Sequence, residues 1–211
     1  MKTQALVLNQ YRVELRNTLK NGEQLLLLAV VPAAVYLIGA QLEDGQAFVK
    51  ALVTGLLAAN FTSIAIATGF ERRWGVLKSY ATSPLSLSHV AAAKALSAAS
   101  ISLMQWMVLS VVSQIWSPRA LLAVIVAPAV LAPWAFFMAT TMRAERVLAL
   151  SNLLFMLMVG ALWTSWPVAL LLPSGVLLSI AAEKFLLGVM LGTLWFLGGA
   201  FLAVRHGRWS E

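Results

Sequence analysis

The segment Phe70–Ser86 reads FERRWGVLKSYATSPLS and lies between two long apolar runs. Its charged residues and its spaced aromatic side chains contrast with the flanking sequence, which is almost entirely apolar. A charged segment of this length between such runs predicts a loop that joins two membrane-spanning helices. We refer to Phe70–Ser86 as the island.

The composition of the whole chain predicts an all-α integral membrane protein. Of the 211 residues, 61% are hydrophobic and 11% are charged, and the mean hydropathy is +0.85. A soluble domain carries about 25% charged residues, and so much apolar surface could not be hidden in a single core. The apolar runs are continuous, whereas the strands of a transmembrane barrel alternate apolar and polar residues.

The chain is basic, with a net charge of +7 and a pI of about 10.3, but no nucleic-acid partner is expected. The basic residues stand in small clusters at the ends of apolar runs, where the positive-inside rule places them. There is no cysteine, so disulfides and thiolate metal ligands are excluded. A mostly polar stretch precedes the first apolar run, which argues against a cleavable signal peptide.

Six membrane spans are predicted, since a helix needs about 20 apolar residues to cross the bilayer core. The difficult region is Val147–Ala182, which has no charged residue and is broken by Pro167 and Pro173. It forms either one span followed by a re-entrant or interfacial piece at 161–184, or two minimal spans. The predicted spans are Leu25–Ala40, Ala51–Phe70, Ala95–Trp116, Ala120–Met142, a helix that starts at Val147, and Phe185–Val204.

The distribution of positive charge favours six spans with both termini in the cytoplasm. Of the 15 Lys and Arg residues, this arrangement leaves only Lys50, Arg119 and Lys184 outside. Seven spans would instead place Arg205 and Arg208 outside and Lys184 inside. The remaining cytoplasmic basic residues are Lys2, Arg12, Arg16, Lys20, Arg72, Arg73, Lys78, Lys94, Arg143 and Arg146.

Residues 1–20 predict an amphipathic helix on the inner surface of the membrane. Its apolar residues recur at helical spacing, at Leu8, Tyr11, Leu15 and Leu19. Its basic residues form a stripe of Arg12, Arg16 and Lys20. Cations in this position are attracted by anionic lipid headgroups, so membrane lipid is an expected partner. An ordinary solvated leader helix is the alternative.

Within the island, the spacing of Trp74, Leu77, Tyr80 and Ala81 predicts one face of a short helix that ends before Pro84. An apolar face with aromatic anchors and charged flanks is typical of a protein interface. The same pattern also suits a surface helix whose aromatic side chains lie among the lipid headgroups. The pattern leaves both interpretations open.

The island resembles a segment that follows the second span in type-two ABC exporter permeases. It reads E-R-R-W-G-V-L-K-x-x-x-x-S-P-L, and such permeases commonly read close to E-R-x-x-G-x-L-x-x-L-x-x-T/S-P-L. Lys94, ten residues after Pro84, matches a basic residue often found at the start of the third span. The six-span layout extends the resemblance to the whole chain, although only the island is specific. The matching positions are Glu71, Arg72, Gly75, Leu77, Ser83, Pro84 and Leu85.

The resemblance implies that residues 70–84 form a coupling helix, which a cleft on a cytoplasmic ABC ATPase subunit receives. Glu71 and Arg72 would make charged contacts at the rim of the cleft, and Trp74 would fill it. It also implies a dimer with a second copy or a paralogue, ATP and Mg in the ATPase, and a bacterial inner membrane. The expected contact residues are Glu71, Arg72, Arg73, Trp74, Gly75, Leu77, Lys78, Tyr80 and Pro84. Leu77 would help to fill the cleft, and Gly75 would permit close approach.

The sequence predicts no enzyme, no catalytic residue and no cofactor in this chain. The motif G-x-x-x-x-G-K-[S/T], whose backbone cradles nucleotide phosphates, does not occur. His89 and His206 have no second ligand nearby in sequence, so no metal site is expected. No pair of carboxylates lies inside a predicted span, which argues against an intramembrane protease or a proton-coupled carrier.

A few mildly polar residues lie within the predicted spans. Asn60, Gln105 and Asn152 are candidates to face a translocation path, which would suit an amphipathic or hydrophobic substrate. Alternatively they hydrogen-bond to neighbouring helices, which is worth about 0.6 kcal/mol per contact. Gly188 and Gly192 form a G-x-x-x-G pattern, which predicts close helix packing within the chain rather than a dimer seam.

Two other functions fit parts of the sequence. A haem-export permease of the cytochrome c maturation type has a similar length, but it would call for a haem ligand and neither histidine is well placed. A scaffold without transport activity could anchor a cytoplasmic protein through the same island.

Overall fold

The computed structural model describes residues 3–82, 84–164, 167–182 and 184–206. Lys2, Ser83 and Arg208, which enter the predictions above, lie outside these ranges. The described residues are largely helical and contain no strand, which confirms the all-α class. The helices are α1 (Thr3–Lys20), α2 (Gly22–Leu25), α3 (Leu26–Gln41), α4 (Ala47–Arg73), α5 (Val76–Ala81), α6 (Leu87–Ser113), α7 (Pro118–Thr141), α8 (Ala144–Ala161), α9 (Pro173–Ala181) and α10 (Phe185–His206).

Five helices in the described ranges are long and apolar enough to cross a membrane, namely α4, α6, α7, α8 and α10. They are compatible with a multi-pass membrane protein. Helix α3 consists of 5 π-helical and 11 α-helical residues, which is fewer than the roughly 20 that a span needs. A sixth span at α3 therefore stays a prediction, as does an interfacial position for α1.

Helix α4 forms the centre of the bundle. Every residue from 51 to 62 is buried, and α3, α6, α7 and α8 pack around it. This stretch includes Gly55, Ala58 and Ala59, whose small side chains let neighbouring helices approach closely. In contrast, the buried residues of α10 are Gly188, Gly192 and Gly199, so most of its apolar surface faces outward.

Helices α3 and α4 each contain a π-helical segment, at Leu26–Val30 and Ala58–Ser63. Such a segment interrupts the regular α-helical bonding and leaves carbonyl groups available to side chains. The Gln105 amide donates to the carbonyl oxygen of Leu28 at 2.5 Å. Gly55 makes room for this amide, because a Cβ there would lie 2.9 Å from the Gln105 Oε1.

The uncharged region Val147–Ala182 contains most of α8, which is long enough to span a membrane, and one short helix. Helix α8 ends at Ala161, and a 3₁₀ turn at Pro167–Leu171 leads to α9. Nine residues rise about 14 Å, too little to cross a core of about 30 Å. Helix α9 packs on α7 and α10 and is buried along most of its length. The described structure thus favours one span and a short piece over two minimal spans.

The Lys50 ammonium of α4 contacts both the loop between α3 and α4 and the residue Trp163 after the end of α8. The Lys50 Nζ lies 2.6 Å from the Asp44 Oδ2 and 4.3 Å from the centre of the Trp163 ring. The hydrogen bond from Lys50 holds the pKa of the Asp44 carboxyl below its usual value. The Lys50–Asp44 ion pair therefore contributes fully to stability above the ordinary pKa of Asp. This contribution is lost as the pH falls through the lowered pKa of Asp44.

The G-x-x-x-G pattern of α10 lies against residues of the same chain, as expected. Gly188 faces Ile180 and Val176, and Gly192 faces Val130 and Val176. A Cβ at Gly188 would lie 2.8 Å from the Ile180 backbone nitrogen. The absence of a side chain at this position is what permits the contact between α9 and α10.

We predict that Gly188→Ala lowers the free energy of unfolding by about 1–3 kcal/mol, because the added methyl group overpacks this contact. The measurement is chemical unfolding of the purified protein in detergent. Gly160→Ala is the matched control, since a Cβ at Gly160 meets no atom within 4 Å. Equal unfolding midpoints for the two variants would contradict the assignment.

Candidate functional site

The island forms two helical pieces joined by a left-handed turn, rather than one helix over 70–84. Helix α4 continues to Arg73, and Gly75 has φ +74° before α5 begins at Val76. Glycine adopts a positive φ without the steric cost that a Cβ imposes. After the short helix α5, Ser86 caps α6 by accepting from the His89 backbone N–H.

The turn separates side chains that were expected to share one face. Trp74 precedes α5, and 71% of its surface is exposed, whereas Leu77 is 2% exposed. The Trp74 ring lies on Phe70, with a centroid distance of 5.4 Å. Tyr80 is half-buried, and burial raises the pKa of its hydroxyl. Leu77 thus lies on the buried side of the island, and Trp74 lies on its exposed side.

The two residues expected at the rim of a partner cleft are bound within the chain. The Arg72 guanidinium donates to the carbonyl oxygens of Ala139 and Met142 at the end of α7, both at 3.3 Å. Glu71 pairs with Lys94 at 2.7 Å. This differs from the expected rim contacts because both side chains turn toward the neighbouring helices. Arg73 makes an ion pair with Glu145 of α8 while remaining half exposed.

Lys94 lies at the centre of a buried group of charges. Its Nζ donates to the Glu14 Oε2 and to the Glu71 Oε1, both at 2.7 Å. Lys94 is 4% exposed and Glu14 is 7% exposed. We refer to Glu14, Glu71 and Lys94 as the ion cluster. A buried ammonium costs several kcal/mol unless it is paired, so the cluster fixes α1, α4 and α6 relative to one another.

A hydrogen-bond chain extends the ion cluster to the island. The Gln10 Nε2 donates to the Glu14 Oε1 at 2.7 Å and to the Tyr80 hydroxyl at 3.0 Å. Tyr11 shares a further 3.0 Å hydrogen bond with Ser100 of α6. Helix α1 is therefore attached both to α6 and to α5, and a displacement of the island would be felt by all three helices.

A small polar cavity of about 20 Å³ adjoins the ion cluster. Its lining includes Glu14, Ser63, Lys94 and Ser97. The Ser97 Oγ is buried and has no hydrogen-bond partner within the described residues. A cavity of this volume with several polar neighbours is large enough for one water molecule, which would satisfy the Ser97 hydroxyl.

Sequence reasoning singled out two members of the ion cluster and missed the third. The family resemblance points to Glu71 and Lys94, whereas it does not point to Glu14. A signal was present: Glu14 follows Tyr11 by three residues and so lies on the apolar side of α1. A carboxylate on the inward face of a helix requires a buried cation.

The candidate path residues occupy different environments. Asn60 is fully buried and donates to the Ser102 hydroxyl at 2.8 Å and to the Leu56 carbonyl at 3.0 Å. Gln105 bonds Leu28 as described above, and Asn152 is half-buried on α8. Asn60 and Gln105 thus make hydrogen bonds between helices, which is the role expected of them if they do not line a translocation path. A path along these residues stays a prediction.

His89 caps a helix, and His206 contacts an aromatic ring. The His89 Nδ1 accepts from the Ser86 backbone N–H at 3.0 Å, which completes the cap of α6. His206 lies near Phe137, with a centroid distance of 6.4 Å. In the part of the chain that the structure describes, no three His, Cys, Asp or Glu residues come together as a possible metal site.

The chain matches no protein-family model, no curated protein and no solved structure.

We predict that Lys94→Met destabilises the protein by about 3–5 kcal/mol, because it leaves the buried Glu14 and the partly buried Glu71 without a cation. Thermal unfolding in detergent measures the loss. Lys184→Met is the control, since Lys184 is an exposed cation outside the cluster. Replacing Glu14 and Glu71 by Gln in the Lys94→Met background should recover most of the stability. An unchanged unfolding temperature for Lys94→Met would contradict the role of the cluster.

Proposed function

We propose that this chain is the membrane-spanning permease subunit of an ATP-driven exporter of the type-two ABC class. It pairs with a second copy or a paralogue, and two separate ATPase subunits supply ATP, Mg and hydrolysis. The observation that carries the proposal is the exposed Trp74, which projects from an island whose other side is fixed to the bundle. This arrangement suits a surface that receives force from a partner.

The bracing of the island supports a coupling role. Arg72 binds the end of α7, and Glu71 joins the ion cluster. Leu77 is buried, and the Tyr80 hydroxyl accepts a hydrogen bond from Gln10 of α1. A push on the island would therefore reach α1, α4, α6 and α7 together. A loosely attached loop would absorb such a push instead of transmitting it.

The geometry divides the expected contact residues into two groups. Trp74, Lys78 and Arg73 are exposed and form the contact surface of the island. A Cβ at Gly75 would meet no atom within 4 Å, so the backbone there is open to a partner. The residues that hold the island in position are Glu71, Arg72, Leu77 and Tyr80, while Pro84 follows α5 as an exposed residue.

A second subunit is part of the proposal because one copy offers few polar groups for a pathway. Asn60 and Gln105 are committed to contacts between helices, and Asn152 lies on α8. The outward face of α8 includes the exposed residues Leu153, Met156 and Leu157. A path built from such surfaces suits an amphipathic or hydrophobic substrate. The proposed location is the bacterial inner membrane, with both termini in the cytoplasm.

We predict that Trp74→Asp abolishes co-purification of an ATPase subunit from the native host, because it places a charge at the centre of the contact surface. The measurement is the ATPase-to-permease ratio after affinity purification in mild detergent. Trp116→Asp is the control, since Trp116 is also exposed, at 59%, but lies in the loop between α6 and α7. Leu77→Asp is unsuitable because Leu77 is buried.

The same experiment separates transport from scaffolding. Recovery of another cytoplasmic protein in place of an ATPase, lost in Trp74→Asp, would favour the scaffold function. An ATPase that remains bound to Trp74→Asp at the wild-type ratio would contradict the docking surface.

We further predict that Gly75→Glu abolishes transport while the protein still inserts in the membrane, because the side chain blocks the approach of the ATPase. Gly75→Asn separates this effect from backbone strain, since Asn tolerates a positive φ better than other residues with a Cβ. Gly45→Glu is the control in a different exposed loop, where a Cβ meets no atom within 4 Å. Export assays in membrane vesicles measure the effect, and normal transport by Gly75→Glu would refute the coupling role.

A further inference from the structure

An apolar groove of about 590 Å³ lies between α6, α7 and α10. Most of its lining consists of alanine, proline and phenylalanine side chains. Representative residues are Ala92, Ala129, Pro133, Phe136 and Ala200. Two of these alanines, Ala92 and Ala129, are exposed to the surroundings of the chain. The groove therefore opens sideways from the helix bundle.

The length of the groove along the helices is close to the thickness of the hydrocarbon part of one bilayer leaflet. On α7 its lining runs from Pro128 to Thr140, and twelve helical steps rise about 18 Å. Half of a hydrocarbon core of about 30 Å is about 15 Å. The lining of α6 begins at Ser88 and that of α10 ends at Val204, so the groove reaches the end of the bundle at which the island lies.

The charges at this end of the bundle are unbalanced. The described carboxylate side chains here, Glu14, Glu71 and Glu145, are each in an ion pair. Helix α10 continues from the groove residue Val204 to Arg205, whose guanidinium lies 5.6 Å from the Phe201 ring. Other exposed cations at this end include Lys78, Arg143 and Arg146. No carboxylate among the described side chains pairs with any of these four cations.

We propose that this groove binds an anionic phospholipid from the adjacent leaflet, with one acyl chain in the groove and the headgroup phosphate near Arg205. The apolar lining excludes a polar ligand, because unpaired polar groups are costly there. Arg205, which follows the lining residue Val204 in sequence, favours an anionic headgroup over a zwitterionic one. This site is independent of the docking of an ATPase at the island.

A helix from a second copy fits the groove less well than an acyl chain does. A helix with its side chains is about 10–12 Å wide, so 18 Å of it occupies about 1,400–2,000 Å³. That exceeds even the space of about 1270 Å³ between the lining atoms, which includes the open side of the groove. A helix could rest across the opening but could not enter it, whereas a flexible chain of methylene groups can follow the groove between the three helices.

The test is native mass spectrometry of the full-length protein in mild detergent, titrated with dioleoylphosphatidylglycerol or dioleoylphosphatidylcholine. We expect the wild-type protein to bind phosphatidylglycerol about fivefold more tightly than phosphatidylcholine. This is the gain in affinity that one cation near an anionic headgroup provides. Arg205→Gln should bring the two affinities together and leave the affinity for phosphatidylcholine unchanged.

Groove-filling variants test the position of the acyl chain. Ala92→Phe and Ala129→Phe should each lower the affinity for both lipids about tenfold, since the added ring displaces several methylene groups. Ala149→Phe is the matched control, because Ala149 is an exposed alanine on α8 outside the groove. Ala92→Leu replaces Ala92→Phe if the larger residue prevents recovery of folded protein.

Three results would overturn the proposal. The first is equal affinity of the wild-type protein for the two lipids. The second is unchanged lipid binding in both groove-filling variants. The third is loss of a dimer mass in those variants with lipid binding unchanged, which would identify the groove as an interface between two copies of the chain.

Discussion

The buried Lys94 ammonium must be paired with carboxylates, and this constraint positions α1, α4 and α6 at the end of the bundle where the island lies. Lys94 is almost fully buried and is the one Lys, Arg, Asp or Glu residue of α6, and bulk water does not reach its charge. Two carboxylates from different parts of the chain must therefore reach it. Glu14 brings α1 against α6, and Glu71 fixes the end of α4. The island follows directly from that fixed end, so its position is determined by electrostatics as much as by packing.

The five long apolar helices could be predicted from sequence because each contains a continuous apolar run, which is a local property. Helix α10, for example, begins at Phe185 as predicted and extends two residues beyond Val204. The island could not be predicted to the same depth. Its residues have helical spacing from Trp74 onward, but Gly75 adopts a positive φ and divides the helix, which places Trp74 and Leu77 in opposite environments. The partner of Lys94 on α1 is a tertiary contact across 80 positions, and spacing within one helix does not contain that information.

The interior of the bundle shows how a nearly uncharged sequence uses its few polar groups. Asn60 lies within the π-helical segment of α4, and it donates to Ser102 and to the Leu56 carbonyl. Gln105 donates to the carbonyl of Leu28, in the π-helical segment of α3. Each of these side chains still has an oxygen with no partner among the described residues. The polar groups are thus partly committed to holding helices together, and any pathway through a single copy would be short of polar lining. This is the physical reason for expecting a second subunit.

The separation of the contacts along the chain has a consequence for how the protein is made. The ion cluster needs only residues up to Lys94, so it can form while the second half of the chain is still being synthesised. The bonds from Arg72 to Ala139 and Met142 must wait until α7 has emerged, and the ion pair of Arg73 must wait for Glu145. N-terminal segments generally fold first during synthesis. The first half can therefore neutralise its buried charge at an early stage, and α7 and α8 then add to a bundle whose island is already in place.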